Sequence, residues 1–113
     1  AWQKRGIEDE PVIKKNDSMT ISFARGGVNT RSNQIFINLK ENYRLDELAY
    51  SGVTGFPVVA KVIAGQDNVL KFYDGYGDNL GRKQGEIARL GNEFLRKEYP
   101  KVDYILKAYI LKE

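Results

Sequence analysis

The 113-residue chain is 42% hydrophobic and carries 18 basic against 15 acidic side chains, a formal net charge of +3. That is apolar material for one compact domain, with no run near the ~18 residues of a membrane-spanning helix and no basic block to follow a phosphate backbone. The absence of cysteine and histidine excludes disulfides, thiol chemistry, histidine acid–base catalysis and the common zinc sites.

No signal-peptide pattern is present, and the lack of cysteine fits reducing and oxidising compartments alike. The expectation is a soluble protein, cytoplasmic or periplasmic/secreted. Met19 is the only methionine and the chain opens on Ala1-Trp2, so a processed protein or a fragment is expected.

In chain order, residues 1–17 are polar, with Pro11 and Asn16-Asp17 as breakers, and read as an irregular lead-in. Met19 to Ala24 alternates as a strand with Met19, Ile21 and Phe23 inward. Residues 26–33 form a Gly/Asn loop. Its Arg25-Gly26-Gly27 superficially resembles an arginine–glycine RNA-binding repeat, but a single copy is most simply a turn. Gln34 to Leu39 is a second strand, with Ile35, Ile37 and Leu39 on the core face. Phe36 then points the other way between Gln34 and Asn38, an aromatic ring with amide neighbours that suits a small apolar pocket with hydrogen-bonding walls.

Residues 40–55 read as a long connection with one helical turn at Leu45–Leu48, ended by Gly52 and Gly55. Phe56 to Ile63 is a third strand, with Pro57 near its start. Residues 65–76 carry Val69, Leu70, Phe72, Tyr73 and Tyr76 at helical spacing. Residues 84–99 repeat that logic with Ile87, Leu90, Phe94 and Leu95, and Pro100 ends them. Val102 to Leu111 alternates again and reads as a last strand, apolar on both faces. Tyr73, Tyr76, Phe94 and Tyr99 are assigned to packing.

The run Ser22-Phe23-Ala24, a loop holding Asn29-Thr30, then Gln34 and Phe36-Ile37-Asn38 resembles the cyclophilin family of peptidyl-prolyl isomerases. Further likenesses follow in order: Arg44-Leu45-Asp46, Val62 to Val69, Tyr73 to Asp78, Gln84 to Ile87, Gly91-Asn92, and Tyr99 to Ile105, the last three resembling the bacterial-type carboxy-terminal segment. The resemblance implies a fold that is mainly β with two α-helices, a cyclophilin-like antiparallel barrel. Here it is incomplete, lacking its N-terminal strands and first helix. One partial domain would span residues 1–113, with barrel strands and C-terminal helices over 18–113.

For function, the resemblance implies binding of X-Pro peptides and faster rotation of the prolyl bond, with no cofactor and no metal. Phe36 would floor the proline pocket, with Leu45 and Phe56 as walls. Gln34 would hold the peptide backbone, Ala24 and Arg25 would form the edge along which the peptide runs, and Asn29 and Thr30 would shape a neighbouring pocket. A simple packing or turn role is open for Phe56, Asn29 and Thr30.

Val28 stands where the family often has proline, and Arg44 where some members carry a tryptophan that matters for cyclosporin. The rotation barrier near ~20 kcal/mol comes from amide resonance, and the family lowers it with a guanidinium aimed at the prolyl nitrogen. No arginine of this chain matches that position, so the catalytic residue is expected outside it.

The expected partners are proline-containing peptides or unfolded proteins. The missing N-terminal half, or a second copy at open strand edges, is a further expected partner; nucleic acid and membrane are not. The competing reading is a non-catalytic proline-peptide binding or scaffolding module.

Overall fold

The computed structural model describes residues 4–112. The chain falls into two compact units, one ending at Gln66 and the other beginning at Asp67.

In the first unit the alternating sequence around Ile21 and Phe23 forms β1 (Thr20–Phe23). It sits at the centre of a three-stranded antiparallel sheet, between β2 (Ile35–Ile37) and a later strand, β5 (Val58–Lys61). Ser22 faces Phe36, while Ile21 faces Ile37 and Phe23 faces Ile35. Phe36 is therefore on the opposite face from the isoleucines, as the period of two requires. The β1–β5 register slips between Ile21 and Ser22, a bulge that re-aims the strand. Met19 precedes β1 at φ 64°, unusual for a side chain with a Cβ. It is held there by hydrogen bonds on both sides: its N–H donates to Asn38 O at 2.6 Å, and its carbonyl accepts from Val62 N at 2.9 Å.

The connection expected over 40–55 has more structure than its sequence suggests. A single turn, α1 (Arg44–Glu47), is followed by a small hairpin of β3 (Ala49–Tyr50) and β4 (Val53–Thr54). Its two-residue turn, Ser51-Gly52, has φ of 48° and 84°. Two consecutive positive values mark the type I′ geometry that matches strand twist.

Which face of the sheet is covered departs from expectation. Ile35 is 53% exposed and Leu39 56% exposed, so the intended core face is only partly covered, with Ile21, Phe23 and Ile37 half-buried. Gly55 and Pro57 aside, every buried described residue is polar: Asn16, Thr20, Ser22, Arg31 and Asn38. The lead-in causes this. Asn16 lies over the Ser22/Asn38 face and satisfies the polar groups there. Further upstream, Ile7 pairs with Arg31 in an isolated antiparallel bridge. Asp9 and Asn29 exchange bonds, Asp9 N to Asn29 Oδ1 at 2.7 Å and Asn29 N to Asp9 Oδ2 at 2.9 Å. The buried Arg31 donates to Glu8 O, lies 3.6 Å from Glu10, and has its guanidinium 5.8 Å from the Phe23 ring centroid.

The second unit is helical. The helix expected over 65–76 shortens to α2 (Gln66–Val69). The chain leaves it through tighter bonds, Lys71 N to Asn68 O and Phe72 N to Val69 O. Leu70 and Phe72 stay more than half exposed, so the apolar face lacks the packing that sustains a short helix.

A 3₁₀ helix (Gly77–Lys83) leads into α3 (Gln84–Glu98), which kinks at Gly91 (φ 68°, ψ −153°). Tyr76 meets Tyr73 and Tyr99 edge-on at 5.0 Å each, and Phe94 lies 6.0 Å from Tyr99. These four rings pack on one another, as assigned.

The strand expected over 102–111 is absent: no residue there is in regular structure. Ile105, Leu106 and Ile110 are 81%, 95% and 90% exposed. Alternation states only which faces a strand would bury. A ladder also needs a partner edge, and none of the described chain supplies one.

Antiparallel strands and helices are thus both present, but the sheet is open and no closed barrel forms among the described residues. Nor is the chain mainly β with two helices. Among the described residues there are three α-helices, and α3 alone is as long as the five strands together.

Candidate functional site

Phe36 leaves β2 on the covered face and is half-buried. Phe56 meets it edge-to-face, with ring centroids 5.8 Å apart and planes at 75°, a favoured aromatic geometry. Polar bonds place Phe56. Its N–H donates to Leu45 O at 2.8 Å, and its carbonyl accepts from Asn16 Nδ2 at 2.8 Å. The expected floor and one wall, Phe36 and Phe56, are in ring contact, and Leu45, half-buried on α1, is joined to Phe56 through its main chain.

Arg25 completes the cluster. Its guanidinium carbon lies 4.2 Å from the Phe56 ring centroid, a cation–π contact, and Nη2 donates to Gly55 O. Nε and Nη1 are buried with no hydrogen-bond partner among the described residues. Such an unmade bond costs about 1–3 kcal/mol, more when the group is charged.

One residue back, Ala24 N donates to Gln34 O at 2.9 Å, a bond that continues the β1–β2 ladder beyond β1. Ala24 is half-buried and Gln34 exposed. The main chain beyond this rung is the edge along which a peptide was expected to run.

Asn29 and Thr30 are used differently. The Asn29 amide oxygen is bound by Asp9 N. Thr30 Oγ1 accepts from Gly26 N at 2.9 Å and Gly27 N at 3.0 Å and donates to Gly27 O. Thr30 thus stitches the 26–30 loop, the turn role left open for it, while the Asn29 side chain ties the loop to the lead-in.

The sequence reading passed over the group that supports this cluster. Asn16 is fully buried. Its Nδ2 donates to Asp46 Oδ1 and Phe56 O, and its Oδ1 accepts from Ser22 Oγ at 2.9 Å and Asn38 Nδ2 at 3.0 Å. Asn38 extends the web to Thr20 Oγ1 and Asn42. All four of the Asn16 amide's bonding positions are filled. An Asn-Asp pair reads locally as a turn, and only the odd polar face of Thr20, Ser22 and Asn38 hinted that something polar must cover it.

Two hollows lie away from the ring pair. One of about 440 Å³ is lined by residues including Lys14, Asp17, Val59 and Lys61. Another of about 460 Å³ runs along Leu90, Phe94 and Lys97 of α3. No group of acidic residues among those described could hold a metal ion, and no described helix is long and apolar enough to cross a membrane.

The Tyr43 phenol is held above its ordinary pKa of 10.0, first by desolvation and then by the charges of Asp17, Glu41 and Asp46 together with a hydrogen bond to Asp17.

No family model matches this chain, and neither a curated protein nor a solved structure matches it.

Proposed function

We propose that the Phe36–Phe56 cluster binds the proline ring of an extended peptide, and that the chain is the substrate-binding part of a peptidyl-prolyl cis–trans isomerase of cyclophilin type. The observation that carries the reading is the ring pair itself: two half-buried aromatics at 5.8 Å, set by backbone bonds to Leu45 and Asn16 and adjoining the Ala24–Gln34 rung. A pyrrolidine ring is apolar and lacks an N–H, so it suits an aromatic floor. The flanking peptide keeps its donors and acceptors for the strand edge.

Binding alone does not speed rotation, because only contacts stronger in the twisted state lower the barrier. In this reading the guanidinium that acts on the prolyl nitrogen comes from outside these 113 residues. The open sheet belongs to an antiparallel barrel whose remaining strands would cover Ile35 and Leu39. The runner-up is a proline-peptide module with no catalysis. It gains from Arg25, whose guanidinium sits on Phe56 and is turned to Gly55 O.

Titration of the 15N-labelled chain with a short Ala-Pro peptide tests the binding claim. Shifts are expected to centre on Phe36, Phe56 and Gln34. Phe36→Ala should weaken binding about tenfold, from the loss of ~1.5 kcal/mol of apolar contact. Shifts scattered elsewhere, or unchanged affinity in Phe36→Ala, would remove the reading. Exchange spectroscopy of the same peptide's cis and trans signals, with and without an added amino-terminal half, separates isomerase from module.

A further inference from the structure

We propose that Arg25 makes this site selective for peptides carrying an acidic side chain next to the proline. The inference rests on the proline-peptide reading and names a substrate class that the reading leaves open.

The guanidinium is fixed in position and incompletely bonded. Its plane is held over Phe56 at 4.2 Å, and one nitrogen is bound to Gly55 O. Nε and Nη1 are buried and have no acceptor among the described residues. Arg31, the buried arginine of the first unit, has Glu10 at 3.6 Å. No such carboxylate is paired with Arg25 among the described residues. The result is a shielded cation with a planar set of free donors and no countercharge.

A carboxylate suits that vacancy better than a neutral acceptor does. It brings two oxygens in one plane, to take the second Nη2–H together with the N–H of Nε or Nη1, and the missing charge. Shielding from water strengthens the pair once it forms. A carboxylate entering beside the rings would replace the protein atoms now closed over these nitrogens.

Position follows from the ring pair. The Phe56 ring beneath the guanidinium is the ring that meets Phe36 edge-on at 5.8 Å. A proline seated on Phe36 therefore places its neighbour, one residue or about 3.3–3.6 Å of extended chain away, within a side chain's reach of Arg25.

The test uses two peptides, Ala-Glu-Pro-Ala and Ala-Gln-Pro-Ala, blocked at both ends and differing only in charge beside the proline. Calorimetry on the wild-type chain is expected to show the glutamate peptide binding about tenfold tighter. In Arg25→Gln the ratio between the two should fall to about one. In the wild type, the Arg25 Nε–H resonance should shift with the glutamate peptide and not with the glutamine peptide, a readout that holds even where the variant binds neither.

Equal affinity of both peptides for the wild type, with binding still sensitive to Phe36→Ala, would overturn the selectivity and leave the proline site standing. Failure of both peptides to bind would remove the site and the selectivity together.

Discussion

Replacing Asn16 with alanine should remove much of the first unit's stability and loosen Phe56 with it. The side chain is fully buried and makes four hydrogen bonds: to Asp46, Phe56 O, Ser22 Oγ and Asn38 Nδ2. The partners are not equally exposed to its loss. Asp46 Oδ1 keeps the bond from Asn16 N, and Asn38 Nδ2 keeps Thr20 Oγ1. Phe56 O and Ser22 Oγ lose the side-chain bonds described for them.

Each buried group left unpaired costs about 1–3 kcal/mol, so the expected loss is about 2–6 kcal/mol before any cavity cost. Against the roughly 5–15 kcal/mol of an ordinary small domain, that is a large share. Urea unfolding followed by the fluorescence of the wild-type and Asn16→Ala chains measures it. A shift under about 1 kcal/mol would mean that water replaces the amide at no cost and that the network is not a core.

Two further outcomes are expected. Ser51→Asn should stabilise the chain by about 0.5 kcal/mol, because Ser51 is exposed at φ 48° ahead of Gly52 and Asn-Gly is the preferred type I′ pair; an unchanged or lower urea midpoint contradicts the turn assignment. Tyr43 makes stability pH-dependent only on the alkaline side. Its native pKa is raised above 10.0, so both states hold the phenol proton below that value and its contribution is intact there. As pH climbs through the native value, the unfolded chain has already lost its proton and stability falls. Tyr43→Phe should lack this alkaline loss, seen as a shrinking gap between the two urea midpoints above about pH 10; a constant gap would contradict the linkage.

What the sequence could and could not reveal divides along a physical line. Period-two alternation located β1 and β2, and put Phe36 opposite Ile35 and Ile37, because that rule is local to one strand. Alternation does not say which face finds cover, and Ile35 and Leu39 remain exposed while Ser22 and Asn38 are buried. Strand pairing is likewise non-local, so Val102 to Leu111 carried a strand's pattern without a strand's partner. The Ser51-Gly52 hairpin was legible in principle from two short runs separated by a two-residue turn, but strands of two residues fall below what a periodicity scan detects. Among the site residues, the two rings came together, and Leu45 is joined to Phe56 through the main chain. Thr30 served its loop, Asn29 tied that loop to Asp9, and Asn16 escaped notice because its role depends on atoms 6 to 40 residues away.

The site is held by directional bonds more than by apolar packing, and that has a measurable consequence. Phe56 is bonded at N by Leu45 O and at O by Asn16, and Gly55 by Leu48 O at N and by Arg25 at O. Apolar contacts supply energy with little angular preference. A satisfied polar web fixes positions, so ring geometry can be well defined where no large apolar side chain is fully buried. The amides of Phe56, Gly55, Asn38 and Asn42, each donating within this web, should therefore exchange with deuterium only when the whole first unit opens. Their protection factors should match one another and the global unfolding free energy. The amides of 105–111 make no backbone hydrogen bond among the described residues and should exchange at the rate of an unstructured peptide. Phe56 exchanging orders of magnitude faster than Asn38 would show that the site opens independently of the sheet, and the amide web could not then be what sets the distance between the rings.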